Sequence, residues 1–341
     1  MFSKRTIVPW IMVLALSGFV YGLTWRAENR TPPEPAYDFY DTAVVHVHIL
    51  GSVERHDVYG RFNNVLEGER KLIKASEQAE GIYRLVFQVN SPRPATLFVN
   101  DEVTEVFLQP GDTSLQVNMF VAPISYSIDS LSFSGKMAPI CDYLAEKQTR
   151  FGQVEMHRVR NIMDSEDFAG YAAKLDSTAA QELAFLAERE IQPDFPDWFA
   201  DYERNDILYQ KAYLKLSRSY NRDVPQELLD DLPLNNQAAV FSYYYFLYVK
   251  SFLSNLAHQS VQEAEYPKAL IRQIQLADSL LDREAHDIYL TRLLFDNLER
   301  GAVNPTRQLL NKYEDSFFSK KYERFLRMQI KLKREVNQAD A

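Results

Sequence analysis

The first strong pattern along the chain is an alternation of apolar and polar residues between positions 42 and 135. Its period of two, rich in β-branched and aromatic residues, is typical of half-buried strands. We predict strands at 43–50, 82–89, 95–99, 103–108, 114–119 and 124–133. Asn100-Asp101 predicts a tight hairpin, and Pro110-Gly111-Asp112 predicts a turn. Residues 42–135 are therefore predicted to form an antiparallel β domain, either sandwich-like or an open barrel.

After residue 135 the pattern changes to a helical period, and glycine becomes rare. Apolar residues recur every three to four positions, as they do along helices that bury one face. We predict helices at 137–163, 166–190, 197–219, 236–257, 264–281, 284–300, 305–316 and 319–336. Residues 136–341 are thus predicted to be an all-α domain, and the fold class of the chain to be α+β.

One predicted helix carries a wide aromatic stripe. Phe241, Tyr244, Tyr245, Tyr248 and Phe252 are spaced so that they share one helix face. A stripe of this kind is typical of a face that packs into a core. We therefore predict that it belongs to the core, and an aromatic face that lines a ligand is the alternative.

The amino terminus contains an apolar segment, residues 6–25, of about the length that spans a bilayer as a helix. The rings of Trp10, Tyr21 and Trp25 lie towards its ends, where they suit the membrane–water interface. We predict that residues 1–25 are a signal anchor, and a cleaved signal peptide is the alternative.

The segment that follows, residues 26–41, contains three prolines and several charges, which predicts a linker. Because one export-type segment precedes all the rest, we expect the folded part to lie outside the cytoplasm.

The charge balance limits the class of partner. The 341 residues include 38 Lys and Arg against 47 Asp and Glu, a net charge of −9. A nucleic-acid binder would need a basic face to contact phosphates, so we expect no nucleic-acid partner. The last predicted helix is nevertheless locally basic, at Lys320, Lys321, Arg324, Arg327, Lys331, Lys333 and Arg334. Such a run is typical of a solvated helix face, and a docking surface for an acidic partner is the alternative.

The single cysteine, Cys141, excludes an internal disulfide, a CxxC redox pair and a multi-cysteine zinc site. It follows Pro139 at the start of a predicted helix, where the helix terminus can lower a thiol pKa. A mixed disulfide with another protein is therefore one hypothesis. The interpretation that we favour is a small buried apolar residue.

The histidines of the first strand raise the question of a metal. His46 and His48 are two positions apart, so both point to one face of the strand. Together with His56 they would supply three ligands, the minimum for a typical site. We favour a polar strand face that happens to carry histidine, because no acidic residues accompany them at metal-site spacing.

Two groups of carboxylates are candidates for acid–base chemistry: Asp164, Glu166 and Asp167, and Asp230 with Asp231. Both groups fall at predicted helix starts, where carboxylates cap free N–H groups and complement the helix dipole. The sequence also lacks the common hydrolase, metalloprotease and nucleotide-binding motifs. We therefore assign no catalytic, cofactor-binding or metal-binding residue, and no cofactor.

Three short motifs occur between the end of the predicted β region and the middle of the helical region. They are VFLQPGD at 106–112, a spaced set with Phe133, Gly135, Ala138, Tyr143 and Leu144, and the pair PDF at 193–195 and ILYQKA at 207–212. These residues resemble the amino-terminal module of exported thioredoxin-like proteins of the TlpA/ResA type from Gram-negative bacteria. The resemblance covers roughly residues 43–336 and implies a β module followed by a helical region. It also implies that the folded part lies on the periplasmic side of the cell envelope, attached to the inner membrane, or free in the periplasm if residues 1–25 are cleaved.

Members of that family continue into a thioredoxin domain with a W-C-x-x-C active site. The present sequence has no such motif, and it ends at 337–341, about where that domain would begin. None of the family's catalytic residues can be carried over. We expect no disulfide reductase activity from this chain, and the DNA just downstream would reveal whether a redox domain is encoded there.

These observations predict a non-catalytic, envelope-anchored interaction or scaffold module, with an envelope protein as its partner and the membrane contacted through residues 6–25. One alternative is an envelope enzyme of unrecognised class, with Cys141, His157 or carboxylates converging between the β domain and the helices. Another is a truncated thiol-disulfide oxidoreductase. A filled apolar junction would favour the first function, and a pocket would favour the enzyme. The sequence identifies no small-molecule ligand.

Overall fold

The structure is a computed structural model, and it describes residues 40–51, 56–66, 70–100, 102–121, 128–152, 168–218, 232–260 and 268–339. Within these ranges, nine β-strands are followed by eight α-helices, so the chain is an α+β protein, as predicted. No helix in these ranges is both long enough and apolar enough to cross a membrane. The predicted membrane segment, and the linker up to residue 39, lie outside them.

The strands form two sheets in the amino-terminal half. They are β1 Asp41–Leu50, β2 Val58–Asn63, β3 Arg70–Lys74, β4 Ser76–Ala79, β5 Ile82–Val89, β6 Arg93–Val99, β7 Glu102–Leu108, β8 Leu115–Val121 and β9 Ile128–Ser134. The sheet orders are β4-β5-β1-β8-β9 and β3-β2-β6-β7. Phe62 of the second sheet meets Phe87 of the first with ring centroids 5.9 Å apart. The two sheets therefore pack face to face through buried side chains.

The prediction of a purely antiparallel domain is wrong at one ladder. β1 pairs antiparallel with β5, but it runs parallel to β8, with Val45 opposite Leu115 and Leu50 opposite Phe120. The alternation of apolar and polar residues predicts which side chains of a strand are buried. β8 would bury the same side chains whether it ran parallel or antiparallel to β1. Strand direction is therefore not encoded in that pattern.

Both predicted turns are present. Asn100 has a φ of 53°, and Val99 pairs with Glu102 across the hairpin, while Asp101 lies outside the described residues. In the second turn, the Asp112 N–H donates to the Gln109 carbonyl at 3.0 Å. Gly111 takes a φ of 78° there, which a residue with a Cβ adopts only at a cost. The Gly111 N–H also donates to the Thr42 carbonyl, so the turn fixes the start of β1.

The carboxyl-terminal half consists of helices. They are α1 Ala138–Phe151, α2 Phe168–Glu190, α3 Asp197–Arg218, α4 Tyr243–Ser260, α5 Lys268–Leu280, α6 Arg283–Glu299, α7 Val303–Lys312 and α8 Lys320–Ala339. α4 begins seven positions later than predicted, because the Ser242 hydroxyl accepts the Tyr245 N–H and caps the helix there.

Two large hydrophobic cores follow one another along the described part of the chain, and a small third cluster joins Tyr171 of α2 to Leu214 of α3. The first joins both sheets to α1, α2 and the start of α3, and it includes Ile140, Phe185 and Phe199. The second lies among α3 to α8 and also takes in Val65 and Leu66 from the β2–β3 connection. The first core therefore continues past residue 135, the predicted boundary between the β and α domains, and that boundary stays a prediction.

The aromatic stripe of α4 belongs to the second core, as predicted. Tyr245 and Tyr248 are buried, and the Tyr248 ring lies 5.6 Å from that of Tyr209 on α3. Tyr244 and Phe252 are partly buried against the same core, and so is Phe241, which precedes the start of α4.

Candidate functional site

The junction between the sheets and the first helices is filled by aromatic rings. Phe107 at the end of β7 lies 5.1 Å from Phe199, 5.6 Å from Tyr202 and 5.9 Å from Trp198. Tyr143 of α1 meets Phe199 from the other side, at 5.8 Å. All five side chains are buried. We call these five residues the aromatic junction, and their packing leaves the two regions in direct apolar contact.

An ionic cluster lies beside the aromatic junction, where α1, α2 and α3 meet. The Lys147 ammonium lies 2.5 Å from Oε1 of Glu203 and 3.1 Å from Oε2 of Glu182. The Tyr143 hydroxyl donates to the same Glu203 oxygen at 3.1 Å. The side chains of Lys147, Glu182 and Glu203 are only 18%, 2% and 5% exposed. We call these four residues the Lys147 cluster.

The electrostatics of the Lys147 cluster follow from burial and pairing. Burial alone lowers the pKa of Lys147, but the carboxylates of Glu203 and Glu182 raise it well above its usual value. Burial, together with the charge on Glu203, raises the pKa of Tyr143. Lys147 therefore stays charged and Tyr143 stays neutral. The two buried carboxylates thus have a cation to compensate their charge and a hydroxyl to donate a hydrogen bond.

Two further carboxyls lie close to this cluster. Burial raises the pKa of Glu105 on β7. Burial also raises the pKa of Asp206 to about 7, and the neighbouring charge of Glu203 adds to the shift. The Ser242 hydroxyl donates to Oδ1 of Asp206 at 2.5 Å. A carboxyl of this kind can take up and release a proton near neutral pH.

His286 of α6 is a second buried titratable group, and it lies between Asp278 of α5 and its own neighbour Asp287. Nε2 of His286 lies 2.9 Å from Oδ1 of Asp278, and Nδ1 lies 3.4 Å from Oδ1 of Asp287. Asp287 also accepts the N–H groups of Phe318 and Ser319, at 3.0 and 2.7 Å, just before α8 begins. Burial lowers the pKa of His286, but hydrogen bonds from the ring to Asp287 and Asp278 outweigh it, so that the net shift is upward.

Cys141 is fully buried, which confirms the interpretation as a small core residue. Its Sγ accepts the Phe107 N–H at 3.4 Å, directly under the aromatic junction. Burial raises the pKa of the thiol to about 12. A thiolate at that position is rare at neutral pH, so the structure gives no support to a reactive cysteine.

The three histidines considered for a metal take two different environments. His46 and His48 are half-buried on β1, and Nδ1 of His48 contacts the Gln116 amide at 3.0 Å. His56 is buried before β2, where the Asn100 amide donates to its Nδ1 at 3.0 Å. In the part of the chain that the structure describes, no three His, Cys, Asp or Glu side chains converge as a metal site would need.

The remaining sequence candidates lie outside the described residues. They are His157, Asp164, Glu166, Asp167, Asp230 and Asp231. That the carboxylates cap helices therefore stays a prediction. That His157 contributes to an active site stays a hypothesis.

The buried ionic residues were missed by the sequence analysis, although a signal for them exists. Lys147 interrupts an apolar stripe formed by Ile140, Leu144 and Phe151 on α1. Glu182 and Glu203 similarly fall between apolar residues of their own helix stripes. A charged residue at a core position of an amphipathic helix is stable there only if it is paired with an opposite charge. Lys147, Glu182 and Glu203 all show this pattern.

One crevice separates the β2–β3 connection from α6 and α8. Val65, Val240, Ile288 and Tyr322 contribute to its walls, and Arg93 lines it from β6. Its volume is about 30 Å³, which holds about one water molecule. This crevice is too small for a metabolite, whose sites usually measure several hundred Å³.

Comparison with known proteins identifies no family. The chain matches no protein-family model, and no curated protein sequence is similar to it. The resemblance to exported thioredoxin-like proteins therefore stays a prediction, which rests on the short motifs around the β-to-helix junction.

Proposed function

We propose that this chain is a non-catalytic interaction module of the bacterial cell envelope, held at the membrane by residues 6–25. The observation that carries the proposal is the aromatic junction. An enzyme with a β region and a helical region would commonly place its substrate in a cleft between them. Here Phe107, Phe199 and Tyr202 occupy that position with ring centroids 5.1 to 6.0 Å apart.

The pairing of the buried charges also supports a structural role. Lys147 neutralises Glu182 and Glu203, and Asp287 accepts two backbone N–H groups that lead into α8. Each of these contacts links one helix to another. Charges used in this way fix the relative positions of helices, as a rigid platform for a partner requires.

We propose that the chain is related to the amino-terminal part of thioredoxin-like proteins but does not carry out disulfide exchange. Disulfide exchange requires an accessible thiolate. Cys141 is buried with a thiol pKa of about 12, which makes it a poor candidate for that step. Any thiol–disulfide exchange would therefore belong to a partner protein.

Site-specific photo-crosslinking in living cells tests the proposal. A crosslinking amino acid replaces Leu72 on β3, Ile191 after α2 or Leu332 on α8, which are exposed apolar positions 65%, 84% and 47% accessible. We expect a discrete protein adduct at one position and not at the other two, because an interaction module binds through a particular face. Absence of an adduct at all three positions, with the protein folded and present in the envelope, would contradict the proposal.

A further inference from the structure

The first sheet has an outward face that no other sheet covers. Val45, Val47 and Leu85 are fully buried on its inward side, so the residues that alternate with them point away from the second sheet. The register of the strands places these outward residues in rows across the sheet. The longest row crosses all five strands, through Ser76, Arg84, His46, Gln116 and Ser134. The next two rows are Ile82, His48, Asn118 and Ser132, then Leu50, Phe120 and Ser130.

We call the residues of these three rows the polar face, and its composition is almost neutral. Arg84 is the only charged residue in it, although 25% of the whole chain is charged. The serines of β9 are exposed, and the side chains of the central strands are half-buried against one another. No residue of the polar face belongs to a described hydrophobic core. The face is therefore accessible, but it lacks the mixed charges that are typical of a solvated surface.

The Gln116 side chain holds the centre of the polar face in a fixed arrangement. Its amide nitrogen donates to Nδ1 of His48 at 3.0 Å and to Oδ1 of Asn118 at 2.7 Å. Because Nδ1 of His48 accepts a hydrogen bond, the neutral ring carries its proton on Nε2. The Gln116 oxygen, the Asn118 amide nitrogen and Nε2 of His48 have no hydrogen-bond partner within the described residues. One acceptor and two donors are thus held side by side and are available to a ligand.

Arg84 and His46 lie opposite one another in the longest row. Within the part of the chain that the structure describes, neither side chain forms an ion pair or a hydrogen bond. A guanidinium group in this state fits a carboxylate, which it binds through two parallel hydrogen bonds. At one end of the face, Leu50 and Phe120 form an apolar pair, 54% and 41% exposed.

We propose that the polar face binds a glycan chain in which one sugar of each repeat carries a carboxylate. A sugar hydroxyl both donates and accepts hydrogen bonds, so neighbouring hydroxyls match the adjacent donors and acceptor of Gln116, Asn118 and His48. The carboxylate would bind to Arg84, and the apolar C–H side of another sugar would pack on Phe120. Five strands spaced about 4.8 Å apart make the face about 19 Å wide, which is room for several sugar units.

Other classes of ligand match the polar face less well. The centre of a protein–protein interface is commonly apolar and aromatic, whereas amides and imidazole occupy this centre and the apolar pair lies at one end. Nucleic acid requires several cations for its phosphates, and a membrane surface requires a broad apolar face. The single charge of Arg84 also matches a carboxylate better than a phosphate monoester, which carries about −1.5 to −2. The inference goes beyond the proposed function, because no step of it depends on a protein partner.

The test uses the full-length protein in a polyoxyethylene detergent, because a detergent with a sugar head group would compete for the face. The labelled protein is applied to a printed array of neutral and carboxylate-bearing bacterial oligosaccharides. Hexasaccharides of hyaluronan and chitin form the matched pair, since a carboxylate sugar alternates with N-acetylglucosamine in hyaluronan and chitin is neutral. We expect carboxylate-bearing glycans to bind about tenfold more tightly than their neutral counterparts. Binding of no glycan, or equal binding of both classes, would overturn the proposal.

Variants then locate the binding surface. Arg84→Gln should weaken binding of the carboxylate-bearing glycans about tenfold and abolish the preference for them. Its matched control is Arg61→Gln, which removes a half-buried arginine from the outward face of the second sheet and should change binding less than about twofold. The double variant Q116T with N118T removes both amides, keeps residues that suit strands and should weaken binding of every glycan. Equal losses for Arg84→Gln and Arg61→Gln would overturn the polar face as the site.

A second measurement needs no variant. Diethylpyrocarbonate modifies accessible histidine rings, and mass spectrometry reads each position. The bound glycan should slow modification of His46 and His48 and leave that of His258, exposed on α4, unchanged. Slowing at His258 alone, or at none of the three, would contradict the assigned face.

This proposal and the proposed function fail in distinguishable ways. Crosslinks to a protein at Leu72, Ile191 or Leu332 with no glycan binding would keep the interaction module and remove the glycan site. Glycan binding that depends on Arg84, without a crosslink at any of those positions, would support the polar face and contradict the binding of a protein partner.

Discussion

Replacing Lys147 by methionine removes the only cation that contacts both Glu182 and Glu203 among the described residues. Methionine keeps most of the apolar stem, so the change isolates the charge. The two carboxylates then remain 2% and 5% exposed, with the Tyr143 hydroxyl as a hydrogen-bond donor to Glu203. We expect a large loss in the free energy of unfolding.

The size of the loss follows from the burial of both partners. Breaking a buried ion pair by removing one partner costs about 3–5 kcal/mol, because a charge is left without compensation. A buried carboxyl in that situation takes up a proton rather than remain charged. The folded variant then binds more protons than the unfolded variant, so its stability falls as the pH rises. The slope is about 1.4 kcal/mol per pH unit for each proton.

Urea unfolding at pH 5 and pH 8 measures both effects. Lys147→Met should cost about 3–5 kcal/mol at pH 8 and clearly less at pH 5. The control is Lys250→Met, which removes a 39% exposed lysine from its 2.8 Å contact with Asp296. That variant should cost about 1 kcal/mol or less at both pH values.

The double variant K147M with E203Q should recover part of the loss at pH 8, since one of the two unpaired charges is gone. A cost for Lys147→Met as small as that for Lys250→Met would refute the reasoning. A cost that does not change between pH 5 and pH 8 would refute it as well.

Three further predictions concern Cys141, Gly135 and His286. Cys141 should resist labelling by a thiol reagent in the native protein and react after unfolding in urea, because it is buried with a thiol pKa of about 12; rapid native labelling would contradict this placement. Gly135→Ala should cost about 2 kcal/mol more than Gly301→Ala in urea unfolding. Both glycines have a positive φ, but only the Cβ at Gly135 would meet a backbone oxygen, that of Ser114, at 2.4 Å, so equal costs would argue against that contact. His286→Gln should reduce the free energy of unfolding more at pH 5.5 than at pH 9. The pKa of His286 is raised in the folded protein, so protonated His286 stabilises the fold fully below about pH 6.5. That contribution is lost as the pH rises through the raised pKa. A pH-independent difference would contradict the assigned ring contacts.

Local patterns in the sequence predicted most elements but not all of their partners. β5 occupies the predicted 82–89, because its apolar residues alternate without interruption. β4, in contrast, is exposed at all four positions, so no alternation marks it. It was missed together with β2 and β3, and the parallel pairing of β1 with β8 was missed because alternation does not reveal strand direction.

The candidate site was harder to predict, because its residues come from separate helices. Lys147, Glu182 and Glu203 are residue types that usually face solvent. Each was covered by the packing of other helices, which a single helix pattern cannot show. The burial of Cys141 was predictable, since a lone cysteine on an apolar helix face behaves as a small apolar residue.

The central position of β1 has a mechanical consequence. Its neighbours on either side are β5, antiparallel, and β8, parallel, and both ladders extend over most of its length. Tension applied along β1 through Asp41 would load the hydrogen bonds of both ladders together, in shear, rather than unzip them one at a time. A strand arranged in this way resists extraction, so a tether attached before residue 41 would pull on the most firmly bound strand of its sheet.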